Sequence, residues 1–249
     1  MNINPYETDE LVAQYMEFHY GNNYFDVKNY PEKCARLCLA QMEKEPKRKA
    51  LDLGCAVGRT SFELAREFDE VIGVDLSARF IECANQLKEK GSLSYNITDE
   101  GELSTLHTAQ LSKHQLQQIK DKVSFYQEDA CNLGTNHQNY ELIFAGNLLD
   151  RLQNPEQFLS SIHHYLSMDG ILVMSSPYTL LAEYTPRENW IGGYRVGEKN
   201  ITVLEGIKKI LDAHFIMINK PLDVPFVIRE TRRKFQHTIA QLTSWRRIR

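Results

Sequence analysis

The sequence predicts an α/β protein built on a doubly wound, mostly parallel sheet, and three observations carry that expectation. Short apolar runs recur at Ala50–Leu53, Glu70–Asp75, Val123–Glu128, Leu142–Ala145 and Ile171–Ser175. They are continuous rather than alternating, as strands are when helices cover both faces of a parallel sheet. Helical periodicity falls between them, near 59–68, 77–89, 155–166 and 202–212, and this strand–helix alternation is the signature of a doubly wound fold. The rhythm then changes. "HFIMINKPL" and "QHTIAQLTSW" read as two strands with no full helix between them, so they are expected to pair antiparallel. The intervening "DVPFVIRETRRKF" is expected to be a loop or short helix.

The 249 residues suit one domain whose core needs no disulfide or metal staple. Residues 1–45 form a separate cap in this reading. Helices are expected over 8–20, capped by Thr8, and over 31–43, with Pro31 in the first turn. "HYGNNYFDVKNY" is the loop between them, and "EKEPKRK" is a solvated link into the first strand. The thirty residues 91–120, "GSLSYNITDEGELSTLHTAQLSKHQLQQIK", interrupt the alternation. An insertion of that length is either functional or inert surface, and "LSYNIT" inside it is expected either to pair as a small hairpin or to act as a cover.

Composition excludes several classes. The net charge of −4 argues against nucleic acid or an anionic membrane as partner. No apolar run has the length of a membrane span. The polar, acidic start, MNINPYETDE, is not a signal peptide. Five scattered cysteines without a CxxC pair point to a reducing, cytoplasmic setting and to no structural zinc. Cys34 and Cys38, one helical turn apart, are expected to be packing residues. His163 and His164 are read as structural, and Arg232, Arg233 and Lys234 as a solvated face.

Ligands of open α/β sheets bind beyond the carboxyl ends of the strands. The turn after the first strand, D-L-G-C-A-V-G-R, places Asp52 before Gly54, Cys55, Ala56 and Gly58. It is neither G-x-G-x-x-G nor a P-loop, and a carboxylate there repels a pyrophosphate while attracting an ammonium group. Asp75 ends the second strand, where a carboxylate can accept both hydroxyls of a ribose, with Leu76 and Ser77 following. Asp129 and Ala130 follow the next strand, placed for an adenine amino group. Asn147 and Leu148, after the fourth strand, are expected under the adenosine. A cation, a ribose and a base in that order fit S-adenosylmethionine.

"LDLGCAVGR", "VIGVDLS", "QEDA" and "LIFAGNLLDRL" resemble the ordered motifs of class I S-adenosylmethionine-dependent methyltransferases. The resemblance covers about residues 45–249. It implies a Rossmann-like sheet of seven strands with the last one antiparallel. The sequence departs at Ala56, where many members carry glycine, and alanine is acceptable there if its φ is negative.

Three longer stretches, "YETDELVAQYMEFHYG", "SPYTLLAEYTPRENWIGGY" and "FVIRETRRKFQHTIAQLTSWRR", resemble one subgroup. These are the 5-thiohistidine N-methyltransferases of ovothiol biosynthesis, often fused behind a sulfoxide synthase. The resemblance implies a small thiol-imidazole amino acid as acceptor. It also implies a stand-alone enzyme here, with a separate sulfoxide synthase as candidate partner.

Holding that acceptor calls for a guanidinium against its carboxylate, with Arg187, Arg195 and Arg229 as candidates. Aromatic and polar walls are expected from Tyr15, His19, Tyr20, Tyr24, Tyr178 and Trp190. Asp150 is placed to orient an imidazole N–H or an ammonium, and Tyr20 and Asp150 are the candidates nearest the chemistry. A neutral imidazole needs no obligatory general base. Three alternatives stay open at this point: another small acceptor, a nicotinamide-dependent oxidoreductase, and a binding module without turnover. Asp52 and Ala56 argue against the second, and the acids at 52, 75 and 129 against the third.

Overall fold

Seven strand positions make up the main sheet of the computed structural model, which describes residues 5–249; residues 1–4 of the expected cap lie outside the described residues. The strands are β1 (Lys49–Leu53), β2 (Glu70–Asp75), β3 (Ser92–Glu100), β4 (Leu103–Gln110), β5 (Val123–Gln127), β6 (Tyr140–Gly146), β7 (Leu166–Ser176), β8 (Tyr194–Val196), β9 (Lys199–Ile201), β10 (Phe215–Met217), β11 (Leu222–Arg229) and β12 (Phe235–Arg247). The order in the main sheet is β10-β12-β7-β6-β1-β2-β5. The inner pairs β7–β6, β6–β1, β1–β2 and β2–β5 are parallel. The last strand, β12, runs antiparallel to β7 along Gln241–Arg246.

The far edge of β12 is shared. Trp245–Arg247 pair with β10, and Phe235–Leu242 pair with β11. The two short partners lie end to end and share one position in the sheet. The break between them contains Pro221, which has no N–H for the ladder. The structure corrects the sequence reading here, since "DVPFVIR" is strand rather than loop or short helix. β11 contains Pro225, but it pairs on one side only, and proline is tolerated on an edge strand. Val224 and Phe226 are buried, and Val227 turns the other way.

Helices cover both faces as expected. They are α1 (Asp9–Tyr20), α2 (Tyr30–Gln41), α3 (Arg59–Leu64), α4 (Ala78–Lys90), α5 (Pro155–Ser161) and α6 (Val203–Leu211). The starts follow the local chemistry: Thr8 caps α1, Asn29 caps α2 with Pro31 in its first turn, Ser77 caps α4, and Thr202 with Glu205 forms a reciprocal capping box on α6. The helix expected over 155–166 stops early, passing into a short 3-10 turn before β7 begins at Leu166. No helix among the described residues is long and apolar enough to cross a membrane.

The insertion is a β-hairpin, β3 with β4, laid against α1. One buried carboxylate joins them. Glu17 of α1 accepts hydrogen bonds from Tyr95 (2.7 Å) and Tyr24 (2.5 Å) and lies 2.8 Å from Nδ1 of His107. These partners hold its pKa below the usual carboxylate range against the opposing effect of burial. All five cysteines are free, with Cys34 and Cys38 fully buried in the core. His163 stacks on His214 at 3.7 Å.

Gly58 fixes the start of α3. Its φ is +83°, and an added Cβ would lie 2.5 Å from the Phe125 ring. Gly58→Ala is expected to lower unfolding stability by about 2 kcal/mol or more, from backbone strain plus overpacking. Urea denaturation checks this, and an unchanged midpoint would contradict it.

Candidate functional site

Each tip of the parallel strands contributes one polar group to a common cavity of about 1050 Å³. At the end of β1, Asp52 is buried and accepts a 2.6 Å hydrogen bond from Ser61. Burial, with the Asp75 charge adding to it, pushes the Asp52 pKa up to about 7. The turn that follows is tied to the next strand, since the amides of Gly54 and Cys55 both donate to the Val74 carbonyl. Gly54 has a φ of +71°, and an added Cβ would come within 3.2 Å of Leu148.

Asp75, at the end of β2, is the junction of two turns. One carboxylate oxygen accepts from the Ala56 amide and the other from the Ser77 amide, both at 2.9 Å. Each oxygen keeps a second lone pair for a ligand hydroxyl. Burial raises the Asp75 pKa. Past β5, Asp129 accepts from the Cys131 amide at 2.9 Å and lines the cavity beside Ala130 and Glu128. At the end of β6, Asn147 takes a φ of +52°. The Tyr30 hydroxyl lies 3.0 Å from its side-chain oxygen and 2.7 Å from the Ser175 hydroxyl.

Asp52, Gly54, Cys55, Ala56, Asp75, Leu76, Ser77, Asp129, Ala130, Asn147 and Leu148 thus surround one space. Among the described residues no cluster of three metal-ligating side chains forms.

The segment that supplies these residues, 51–174, matches a family described as a methyltransferase domain. Residues 51–174 carry a methyltransferase domain. The sheet order of the chain, with an antiparallel last strand, is that of the Rossmann-like methyltransferase fold. The N-methyltransferase NodS from Bradyrhizobium japonicum WM9, solved in complex with S-adenosyl-L-homocysteine, is similar at 16% identity and a TM-score of 0.55, covering 95% of this chain and 98% of that chain. An S-adenosylmethionine-dependent methyltransferase from Clostridium acetobutylicum ATCC 824 is similar at 14% identity and a TM-score of 0.55, covering 89% of this chain and 92% of that one. The [4+2]-cyclase SpnF is similar at 15% identity and a TM-score of 0.57, covering 97% of both chains. At such identities the likeness establishes the fold.

The cofactor of such a domain is S-adenosylmethionine, and the donor set of the methyltransferase fits it. Carboxylates at three strand tips suit an ammonium group, vicinal hydroxyls and an exocyclic amine, and glycine at position 54 leaves room for close approach.

The other half of the cavity differs from the sequence reading. Tyr15, His19 and Asp150 line it as expected. Burial, then the Arg59 charge, push the His19 pKa down to about 3, so its ring is neutral. Burial raises the Tyr15 phenol, which is also neutral. Tyr20 is not in the wall; its hydroxyl donates 2.9 Å to the Val57 carbonyl and braces the glycine turn from behind. Tyr24 belongs to the Glu17 cluster. Tyr178 bonds Gln241 instead. The Trp190 indole donates to the Thr185 carbonyl, and Arg187 stacks on Trp190 and Tyr194 at the surface. Arg195 sits in the small β8–β9 hairpin, bonded to Asn200. Arg229 points away from the cavity and pairs with Asp99 of the insertion at 2.8 Å. Gly58 serves the start of α3 and does not line the cavity.

Sequence reasoning missed Arg151, Tyr6 and Gln14, and the β11 and β12 wall residues Phe226, Ile228, Gln236 and Thr238. Phe226 and Ile228 were hidden because β11 was not read as a strand, and Gln236 and Thr238 belong to β12, which was read as a strand but not as part of the wall. Arg151 stood beside Asp150 in "NLLDRL", where a cation next to a strand-tip acid was the available signal.

Ala56 is a further correction. Its φ is +47° rather than negative, in the same turn whose Ala56 amide donates to Asp75. Left-handed backbone costs an L-residue about 1–2 kcal/mol. Ala56→Gly is therefore expected to stabilise the methyltransferase by about 0.5–1 kcal/mol after the entropic cost of glycine. Thermal unfolding checks the sign, and a loss of stability would show that Ala56 is not strained.

Proposed function

We propose that the protein transfers the methyl group of S-adenosylmethionine to a ring nitrogen of 5-thiohistidine, or of a closely related thiol-bearing imidazole amino acid. One observation carries this reading. The three stretches that resemble the 5-thiohistidine N-methyltransferases lie far apart in sequence, yet each lends side chains to the wall opposite the strand tips. The first supplies Tyr6, Gln14, Tyr15 and His19, the second Thr179 and Tyr184, and the third Phe226, Ile228, Gln236 and Thr238.

When bound, S-adenosylmethionine would supply a methyl group: its C–S bond would break to leave a neutral thioether as the ring-nitrogen lone pair forms the C–N bond, and the ring, left with the positive charge, would release its other N–H proton to solvent. The residues have three tasks. Asp52 receives the ammonium of the cofactor, Asp75 its ribose hydroxyls, and Asp129 its adenine amine. Tyr15, Phe18 and Phe226 make an apolar wall that excludes water, and holding two reactants aligned in such a site can be worth about 7–11 kcal/mol. The neutral His19 and Tyr15 add no charge beside the acceptor ring, which is itself largely neutral above its ordinary pKa of about 6.5. A general base is therefore not required to generate the lone pair.

Incubation with S-adenosylmethionine and 5-thiohistidine is expected to give a product heavier by one methyl group. Turnover of a different imidazole or thiol, with none of 5-thiohistidine, would keep the methyltransferase and remove this acceptor.

Asp75→Ala is expected to weaken binding of S-adenosylhomocysteine at least about 10-fold through the loss of charge-assisted hydrogen bonds. Calorimetry reads it, and unchanged affinity would contradict the ribose assignment.

Asp52 gives a pH test. Its pKa is raised from 3.8 to about 7, so in the free protein its protonated form favours folding. That contribution is full below pH 4 and is lost as pH rises through 7. An ammonium ligand needs the ionised form, so affinity for S-adenosylhomocysteine is expected to rise with pH across the same interval. Asp52→Asn should flatten this dependence, and an equally steep profile in that variant would assign it to another group.

A further inference from the structure

Arg151 is the only arginine or lysine among the described residues that line the cavity, against six carboxylates: Asp52, Asp75, Glu128, Asp129, Asp150 and Glu183. It follows Asp150 in the 3-10 turn Leu149–Arg151 after β6. Its Nη1 donates to Asp150 Oδ2 at 2.8 Å and to the Asp150 carbonyl at 2.9 Å. Its Nε donates to the Tyr6 hydroxyl at 3.2 Å, and its guanidinium sits 4.7 Å from the centre of the Tyr184 ring. Nη2 has no hydrogen-bond partner among the described residues. Asp150 is held in turn by Ser176 (2.9 Å) and Thr179 (2.6 Å). The Asp150 side chain is 2% exposed and that of Arg151 29%.

A pair this buried is a poor stabilising device, because desolvation offsets most of its Coulomb energy. The arrangement instead fixes a planar fork with one arm free in the wall of an otherwise acidic cavity. An anionic group entering the acceptor half meets repulsion from the carboxylates and attraction from this one guanidinium.

We infer that Arg151 is the specificity residue that receives the acceptor's carboxylate, with Asp150 as the positioning residue that locks the fork, so that the site selects amino acids over the corresponding amines. This rests on the acceptor class proposed above. It moves the carboxylate contact from Arg187, Arg195 and Arg229, which lie outside the cavity wall, to Arg151.

The test compares 5-thiohistidine with its decarboxylated analogue 5-thiohistamine, using wild type and Arg151→Gln. Binding is measured to protein saturated with S-adenosylhomocysteine, and KM and kcat with S-adenosylmethionine. Wild type is expected to bind the amino acid at least about 30-fold more tightly than the amine, the size of a charge-assisted pair of hydrogen bonds. In Arg151→Gln that preference should shrink to about 3-fold or less through loss of amino-acid affinity. The loss should appear mainly in KM for the acceptor, with S-adenosylhomocysteine affinity kept within about 3-fold. Asp150→Asn should show a smaller loss with the same split.

Equal binding of amino acid and amine by wild type overturns the inference. So does an undiminished preference in Arg151→Gln, or a fall in cofactor affinity as large as the fall in acceptor affinity, which would give Arg151 to the cofactor's own carboxylate. Failure of wild type to bind either probe overturns it as well. Carboxylate-dependent binding without methylation would remove the proposed reaction and leave the clamp standing. Methylation indifferent to the carboxylate would do the reverse.

Discussion

The Asp75 carboxylate is the joint on which the cofactor half of the site depends. Its two oxygens take the amides of Ala56 and Ser77 and so fasten the turn after β1 to the start of α4. A parallel sheet leaves its strand-end turns without neighbours of their own, and a carboxylate that accepts two backbone donors ties two such turns together with charge-assisted hydrogen bonds. Ala56, whose amide forms one half of this joint, itself takes a left-handed φ. Local strain is stored where the binding surface is made.

The acceptor half is organised differently. Its wall comes from α1, from the segment after β7, and from the edge strand β11 with β12, elements distant in sequence and brought together by the antiparallel end of the sheet. The β3–β4 hairpin does not enter the cavity. It supports α1 from outside through the buried Glu17 and fixes Arg229 through Asp99. An insertion that at first reads as surface decoration therefore sets the position of a wall helix.

Similar structures include a protein described as a methyltransferase and another described as a [4+2]-cyclase, at comparable TM-scores. The fold fixes where a ligand lies relative to the strand tips. The chemistry is set by side chains that differ between such chains. In this protein those side chains form a neutral aromatic wall interrupted by a single ion pair, Asp150–Arg151.

The sequence by itself determined the strand–helix alternation, the cap at Thr8 and Pro31 in the first turn of α2, the antiparallel ending, and the placement of Asp52, Asp75 and Asp129 at strand tips. All of these are encoded locally, by apolar runs, turn residues and the residue just after a strand. Tertiary structure alone decided which arginine faces the cavity, because Arg151, Arg187, Arg195 and Arg229 are alike in composition and differ only in the partners that capture them: Asp150, Trp190, Asn200 and Asp99. It also decided that Pro225 sits on an edge, where its missing N–H costs no ladder bond, and that Tyr20 braces the glycine turn rather than facing the ligand. Each of these outcomes depends on a contact between segments far apart in the chain, and no periodicity within either segment carries that information.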